Sequence, residues 1–189
     1  MPEIKRRADA ERNLRRIIEA ATALLAANPA ASMAEIAAAS GLVRATLYRH
    51  FPTRDDLLRA MYSAALDDAL EAILSVEPER GKVTDAIARV VDAVLVVGDR
   101  YRILSEERRR YPELREQEES VGAPLIALVE RGRRDGEIRD DLPLRWQVAA
   151  LGSLINEALR AVGREDIGRA EAGSLVTRTF LESMRPRRR

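Results

Sequence analysis

Four residues within six positions, Arg44, Ala45, Tyr48 and Arg49, carry the densest chemistry in the chain. Wound at about 100° per residue, they share one half of a helix, while Val43, Thr46, Leu47 and His50 turn to the other. A guanidinium can donate two parallel hydrogen bonds, the pattern that O6 and N7 of a guanine edge accept. A small alanine lets a backbone come close and can touch a thymine methyl. Hydroxyls such as those of Tyr48 and Thr46 can donate to phosphates, which fixes register without reading sequence. Arg54 stands at the start of the next helix, where a guanidinium and the positive end of the helix dipole together suit a phosphate. From Ile36 through Arg54 there are three arginines and no acidic residue.

The rest of the composition narrows the chemistry by exclusion. The 189 residues hold 32 basic and 31 acidic side chains, a net charge of +1 that names no partner by itself. Residues 1–60 carry 10 basic and 7 acidic residues, whereas 61–189 carry 22 and 24. A cationic segment beside an acid-balanced remainder points to one focused anionic contact. With no cysteine and a single histidine, His50, thiolate chemistry, a multi-histidine metal site and a histidine relay are excluded. No enzyme, metal or cofactor is expected. The N-terminal Met-Pro-Glu-Ile-Lys-Arg-Arg has no apolar core behind it and does not read as a signal peptide. Apolar runs such as 93–98 fall far short of the ~18 residues of a membrane span. The expectation is a soluble, cytoplasmic protein with no membrane partner.

Positioning those four side chains requires helices, and the sequence reads as helix after helix. Leu14, Ile17, Ile18, Ala21, Leu24 and Leu25 follow three-and-four spacing, with Asp9 as the expected N-cap and Asn28-Pro29 as the stop. Ser32 and Glu35 form a capping box for a short helix from Met33 to about Ala39, which Gly41 ends. Val43–Phe51 makes a third helix closed by Pro52, and Thr53 to Asp56 caps a long fourth running to about Ser75. Further helices are expected over 82–98, 101–110, 114–134 with a kink or break at Pro124, 144–162 and 169–184. The chain is all-α, with about nine helices: an N-terminal three-helix unit over 1–60, a C-terminal helical domain over 61–185, and a basic tail over 186–189. Two short helices joined by a glycine turn behind a longer one describe a helix-turn-helix over 32–51.

Residues 32–58, from Ser-Met-Ala-Glu-Ile-Ala through His-Phe-Pro-Thr-Arg-Asp-Asp-Leu-Leu, resemble the DNA-binding signature of the TetR family of bacterial transcriptional regulators. Ile36-Ala37, Gly41, Thr46-Leu47-Tyr48, Phe51-Pro52, the basic residue at 54 and Leu57 carry the resemblance. It implies a homodimer that binds an inverted-repeat DNA operator, usually represses, and is released by a small molecule in the C-terminal domain. Position by position, it implies that Arg44, Ala45 and Arg49 face bases and that Thr46, Tyr48, His50 and Arg54 hold the backbone. Two positions depart from the pattern. Val43 stands where a polar cap is common, and Arg54 replaces the usual lysine, keeping charge but changing geometry.

The C-terminal half gives only candidates. A mostly apolar ligand pocket would draw on Val91, Val94, Tyr101, Leu104, Leu125, Leu128, Trp146 and Asn156. The helix over 144–162 carries an apolar arc wider than one neighbour requires. Leu151, Leu154, Ile155 and Leu159, with Val176 and Phe180 of the last helix, are therefore expected at a four-helix dimer interface. A basic arm at Lys5, Arg6 and Arg7 would add sequence-independent DNA affinity. The Arg108-Arg109-Arg110 run reads as a solvated helix end and Arg185–Arg189 as a disordered tail. Two rival readings remain: a helical enzyme or small-molecule carrier, for which no converging acid–base or metal set exists, and a ligand-independent or activating DNA-binding regulator.

Overall fold

The computed structural model describes residues 2–101, 104 and 110–186, with the side chains of 2–11 excepted. The described residues form eight α-helices and no strand. They are α1 (Pro2–Ala27), α2 (Met33–Ala39), α3 (Arg44–His50), α4 (Arg54–Ser75), α5 (Val83–Arg100), α6 (Arg115–Arg134), α7 (Leu144–Gly163) and α8 (Arg169–Ser183). The helix expected over 101–110 falls mostly outside the described residues, as do Arg108, Arg109 and the tail beyond Pro186. The side chains of the Lys5–Arg7 arm lie outside them as well.

Local chemistry sets most of these boundaries. Ser32 and Glu35 cap α2 reciprocally, the Glu35 amide donating to the Ser32 hydroxyl and the Ser32 amide to the Glu35 carboxylate. Thr53 and Asp56 do the same for α4. Gly41 turns the chain out of α2 at φ +66°, a conformation that a Cβ disfavours. Asp9 does not cap α1, which already begins at Pro2, because nothing in 2–8 stops a helix. Pro124 does not break α6, which is continuous from Arg115 to Arg134. Val43 is the N-cap of α3 and makes no side-chain cap; it sits outside the helix and is 70% exposed instead of joining the inner face.

Two apolar cores result. One gathers Ile17, Leu25, Ile36, Leu47, Phe51 and Leu57 from α1 to α4. The other lies among α4 to α8, around Ile73, Ile87, Val90, Leu151 and Phe180. The first core does not end at residue 60: Tyr101, Leu104 and Tyr111 pack into it from the segment that follows α5.

Candidate functional site

On α3, Leu47 is fully buried and anchors the helix, while Arg44, Ala45, Tyr48 and Arg49 are exposed together on the opposite face. Thr46 and His50 lie between, half-buried. The Arg44 guanidinium sits over the Tyr48 ring, 5.7 Å from its centroid, so the two pre-order each other by a cation–π contact. His50 Nε2 is buried without a hydrogen-bond partner, at the end of the helix beside Phe51. The α2–α3 pair is braced against α1 by Arg16, which donates to the Ser40 carbonyl at 3.0 Å.

Arg54 is placed otherwise than a purely phosphate-facing residue would be. Its guanidinium donates to the carbonyl of Pro29 at 2.8 Å and to that of Ala31, stapling the start of α4 to the α1–α2 loop. Arginine's fork can serve two carbonyls at once, which a lysine ammonium does less rigidly.

A cavity of about 480 Å³ opens among α4, α5, α6 and α7. Of the residues expected to line it, Val94, Tyr101, Leu104, Leu125 and Asn156 do so. Trp146 does not: it is 65% exposed on the outer side of α7. Val91 and Leu128 are consumed by the core behind the wall, at 0% and 3% exposure. Nor do Leu151, Ile155, Val176 and Phe180 present a dimer surface, since α5 to α8 already bury them within one chain. Leu154 is half-buried against that core, and Leu159 lines the cavity together with Ile155. The wide apolar arc of α7 is thus used twice, once for core and once for cavity.

Sequence reasoning missed Tyr62, Glu118 and three glycines in the wall. Gly98, Gly122 and Gly152, on α5, α6 and α7, all border the same space. A Cβ on Gly122 or Gly152 would meet nothing within 4 Å, so these two helices carry a glycine where alanine would fit the backbone. Three small residues on three facing helices were a readable signal, but only once the helices were known to face one another.

Polar contacts tie this wall and the segment after α5 to α4. The Tyr101 hydroxyl donates to Asp68 on α4 at 2.8 Å. Burial first, and then that carboxylate, push the Tyr101 phenol up to about 12. Tyr62 on α4 donates to Glu118 on α6 at 2.6 Å, and Tyr111 donates to Asp55 in the first turn of α4 at 3.2 Å. Tyr62, Tyr101 and Leu104 therefore belong both to the cavity wall and to the N-terminal core.

A helix-turn-helix with an exposed cationic face, set on a helical body that encloses an apolar cavity, defines a DNA-binding regulator class with a built-in ligand site. Residues 17–61 match the model of the bacterial regulatory proteins of the tetR family. Over 88 residues the chain is 42% identical to the HTH-type transcriptional repressor LfrR of Mycolicibacterium smegmatis, a match that covers 47% of each chain and so about half the relative's length. Among solved structures, the TetR-like regulator LfrR from Mycobacterium smegmatis in complex with proflavine is similar at TM-score 0.76 and 27% identity, over 89% of this chain and 95% of that one. A TetR family regulator from Marinobacter aquaeolei, 23% identical, shares the fold at TM-score 0.72 over 97% of this chain and all of that one. The match over residues 17–61 is thus to the DNA-binding unit of the tetR family, and the fold of the chain is similar to that of TetR-like transcriptional regulators. Among the described residues, no helix is long and apolar enough to cross a membrane.

Proposed function

We propose that the protein is a transcriptional repressor that binds an inverted-repeat DNA operator as a homodimer and is released by a small, mostly apolar effector. The observation that carries this reading is the sharing of Tyr62, Tyr101 and Leu104 between the cavity wall and the core that holds the recognition helix. A molecule filling the cavity presses on side chains that set the stance of the DNA-binding unit. LfrR, similar in fold and in part in sequence, is a repressor and has been solved in complex with proflavine, which supports the same use here.

Residues 1–60 then form the DNA-binding domain and 61–185 the effector and dimerisation domain. Arg44, Ala45 and Arg49 read bases, while Thr46, Tyr48 and His50 meet the backbone. Pairing uses the outer stripe of α7, where Trp146, Ser153 and Glu157 are exposed, instead of the buried leucines. The protein works in the cytoplasm on DNA and catalyses no reaction. Effector binding favours a half-site separation that no longer matches two major grooves ~34 Å apart.

The test is a selection of genomic fragments by the full chain at moderate salt. Enriched fragments should share an inverted repeat with half-sites about one helical turn apart. Only sequence-blind, salt-sensitive binding would overturn the reading.

A further inference from the structure

Of the two arginines on the exposed face of α3, one is held and the other is free. Arg44 and Tyr48 stand four positions apart, the spacing at which helical side chains meet on one face. Long helical side chains lean toward the N-terminus, which brings the Tyr48 ring back toward Arg44. The Arg44 Cζ sits 5.7 Å from the ring centroid, within the ~6 Å reach of a cation–π contact. Arg49 has no ring, hydrogen-bond acceptor or acid beside it among the described residues.

This difference changes what a base contact costs. A free arginine loses rotamer freedom when it settles on a guanine edge, and one already ordered loses less. That saving arises only where the contact forms, on the matching base, so it enters the preference between bases as well as the affinity. A cation over a ring uses its charge and spends no N–H donor, so the Arg44 fork stays open to O6 and N7. The ring is not needed to hold the helix, because fully buried Leu47 anchors α3 while Tyr48 is exposed.

We propose that Tyr48 is a positioning residue for base reading: its ring, and not its hydroxyl, holds Arg44 ready and raises preference at the base that Arg44 meets. This rests on the reading of Arg44 and Arg49 as base contacts. The test is a binding selection by the full chain on a randomised duplex DNA library at one salt concentration. Arg44→Ala and Arg49→Ala mark the base position that each arginine reads. Tyr48→Leu, which should melt like the parent, should then lower preference about two- to fivefold at the Arg44 position and leave the Arg49 position unchanged. Tyr48→Phe keeps the ring and should keep both preferences, while binding all sequences more weakly through the lost hydroxyl. If Tyr48→Leu leaves the Arg44 position unchanged, or lowers both positions alike, the positioning role is overturned and base reading stands. Equal loss of preference in Tyr48→Phe and Tyr48→Leu overturns it too, since the hydroxyl would then be the agent. If Arg44→Ala relaxes no position, base reading by Arg44 and its positioning by Tyr48 fall together.

Discussion

Arg44 and Arg49 are exposed on the same face of α3, with Arg44 held over Tyr48, and neither has an acidic partner among the described residues. Replacing either by alanine should cost about 1–3 kcal/mol of operator binding and relax preference at one base position per half-site. A binding selection with each variant checks this, since equal weakening on all sequences would mean that the side chain holds phosphate and reads no base. Arg54 behaves differently because its fork is engaged with the Pro29 and Ala31 carbonyls, and Ala31 is fully buried. Arg54→Ala should lower the stability of the free protein by about 1–3 kcal/mol, because charge-assisted bonds are lost and the acceptor on buried Ala31 is left unmet. Thermal melting without DNA measures that effect, and an unchanged melting temperature would return Arg54 to a purely phosphate-facing role. The exposed face of α3 was legible in the sequence because helical spacing alone decides which side chains share a side. The employment of Arg54 was not, because its acceptors are backbone atoms more than twenty positions away in the chain.

At the scale of elements, the helix ends that the sequence announced are those with a reciprocal side-chain cap. Ser32 with Glu35 and Thr53 with Asp56 close α2 and α4 where their spacing says they should. Hydrogen bonds from Ser32 hold the Glu35 carboxyl below its ordinary range, and the bond from Thr53 does the same for Asp56. A carboxyl whose folded value is lowered adds stability above its unfolded value, and loses it as pH falls through the folded one. Stability should therefore be level above about pH 5 and decline as pH drops through about 4 and below. Melting of the parent chain and of Asp56→Asn across that range checks the sign, because the variant should lose part of the acid-side slope. The recognition helix has no such cap. Val43 is extended at φ −69° and ψ 144°, which any residue adopts, so Val43→Ser should add about 1 kcal/mol of stability through a new bond to a free amide of α3. Melting measures it. Where caps are absent the sequence was a poorer guide: α1 runs back past Asp9, and Pro124 does not break α6. The roles of the α7 leucines were illegible for a related reason. Periodicity reports that a face is apolar but not whether a neighbouring helix, a cavity or a second chain covers it.

For the molecule as a whole, the question is how a guest in one core could move a recognition helix in another. The two cores are not separate bodies joined by α4 alone. Tyr101 and Leu104 leave the end of α5, pack into the N-terminal core, and still face the cavity, while Tyr62 on α4 reaches across to Glu118. On the proposed function, a ligand shifts the balance between stances of the DNA-binding unit only if its contacts with these three side chains differ between them. By linkage, operator DNA must then weaken the ligand by the same factor as the ligand weakens DNA. The glycines of the wall allow a clean separation of these effects. Gly122 and Gly152 have open space where a side chain would go, and both are in helices at ordinary negative φ. Gly122→Leu with Gly152→Leu should fill much of the cavity without distorting the backbone. Each replacement removes a helix-interior glycine worth roughly 1 kcal/mol relative to alanine and adds buried apolar surface. The doubly substituted protein should melt higher than the parent and bind operator DNA with parental affinity, yet no longer be displaced by any compound that displaces the parent. Melting and operator titration with and without that compound read all three. Loss of DNA binding together with loss of release would mean that the cavity's empty volume itself sets the stance of α3. Retained release would place the effector outside the cavity altogether.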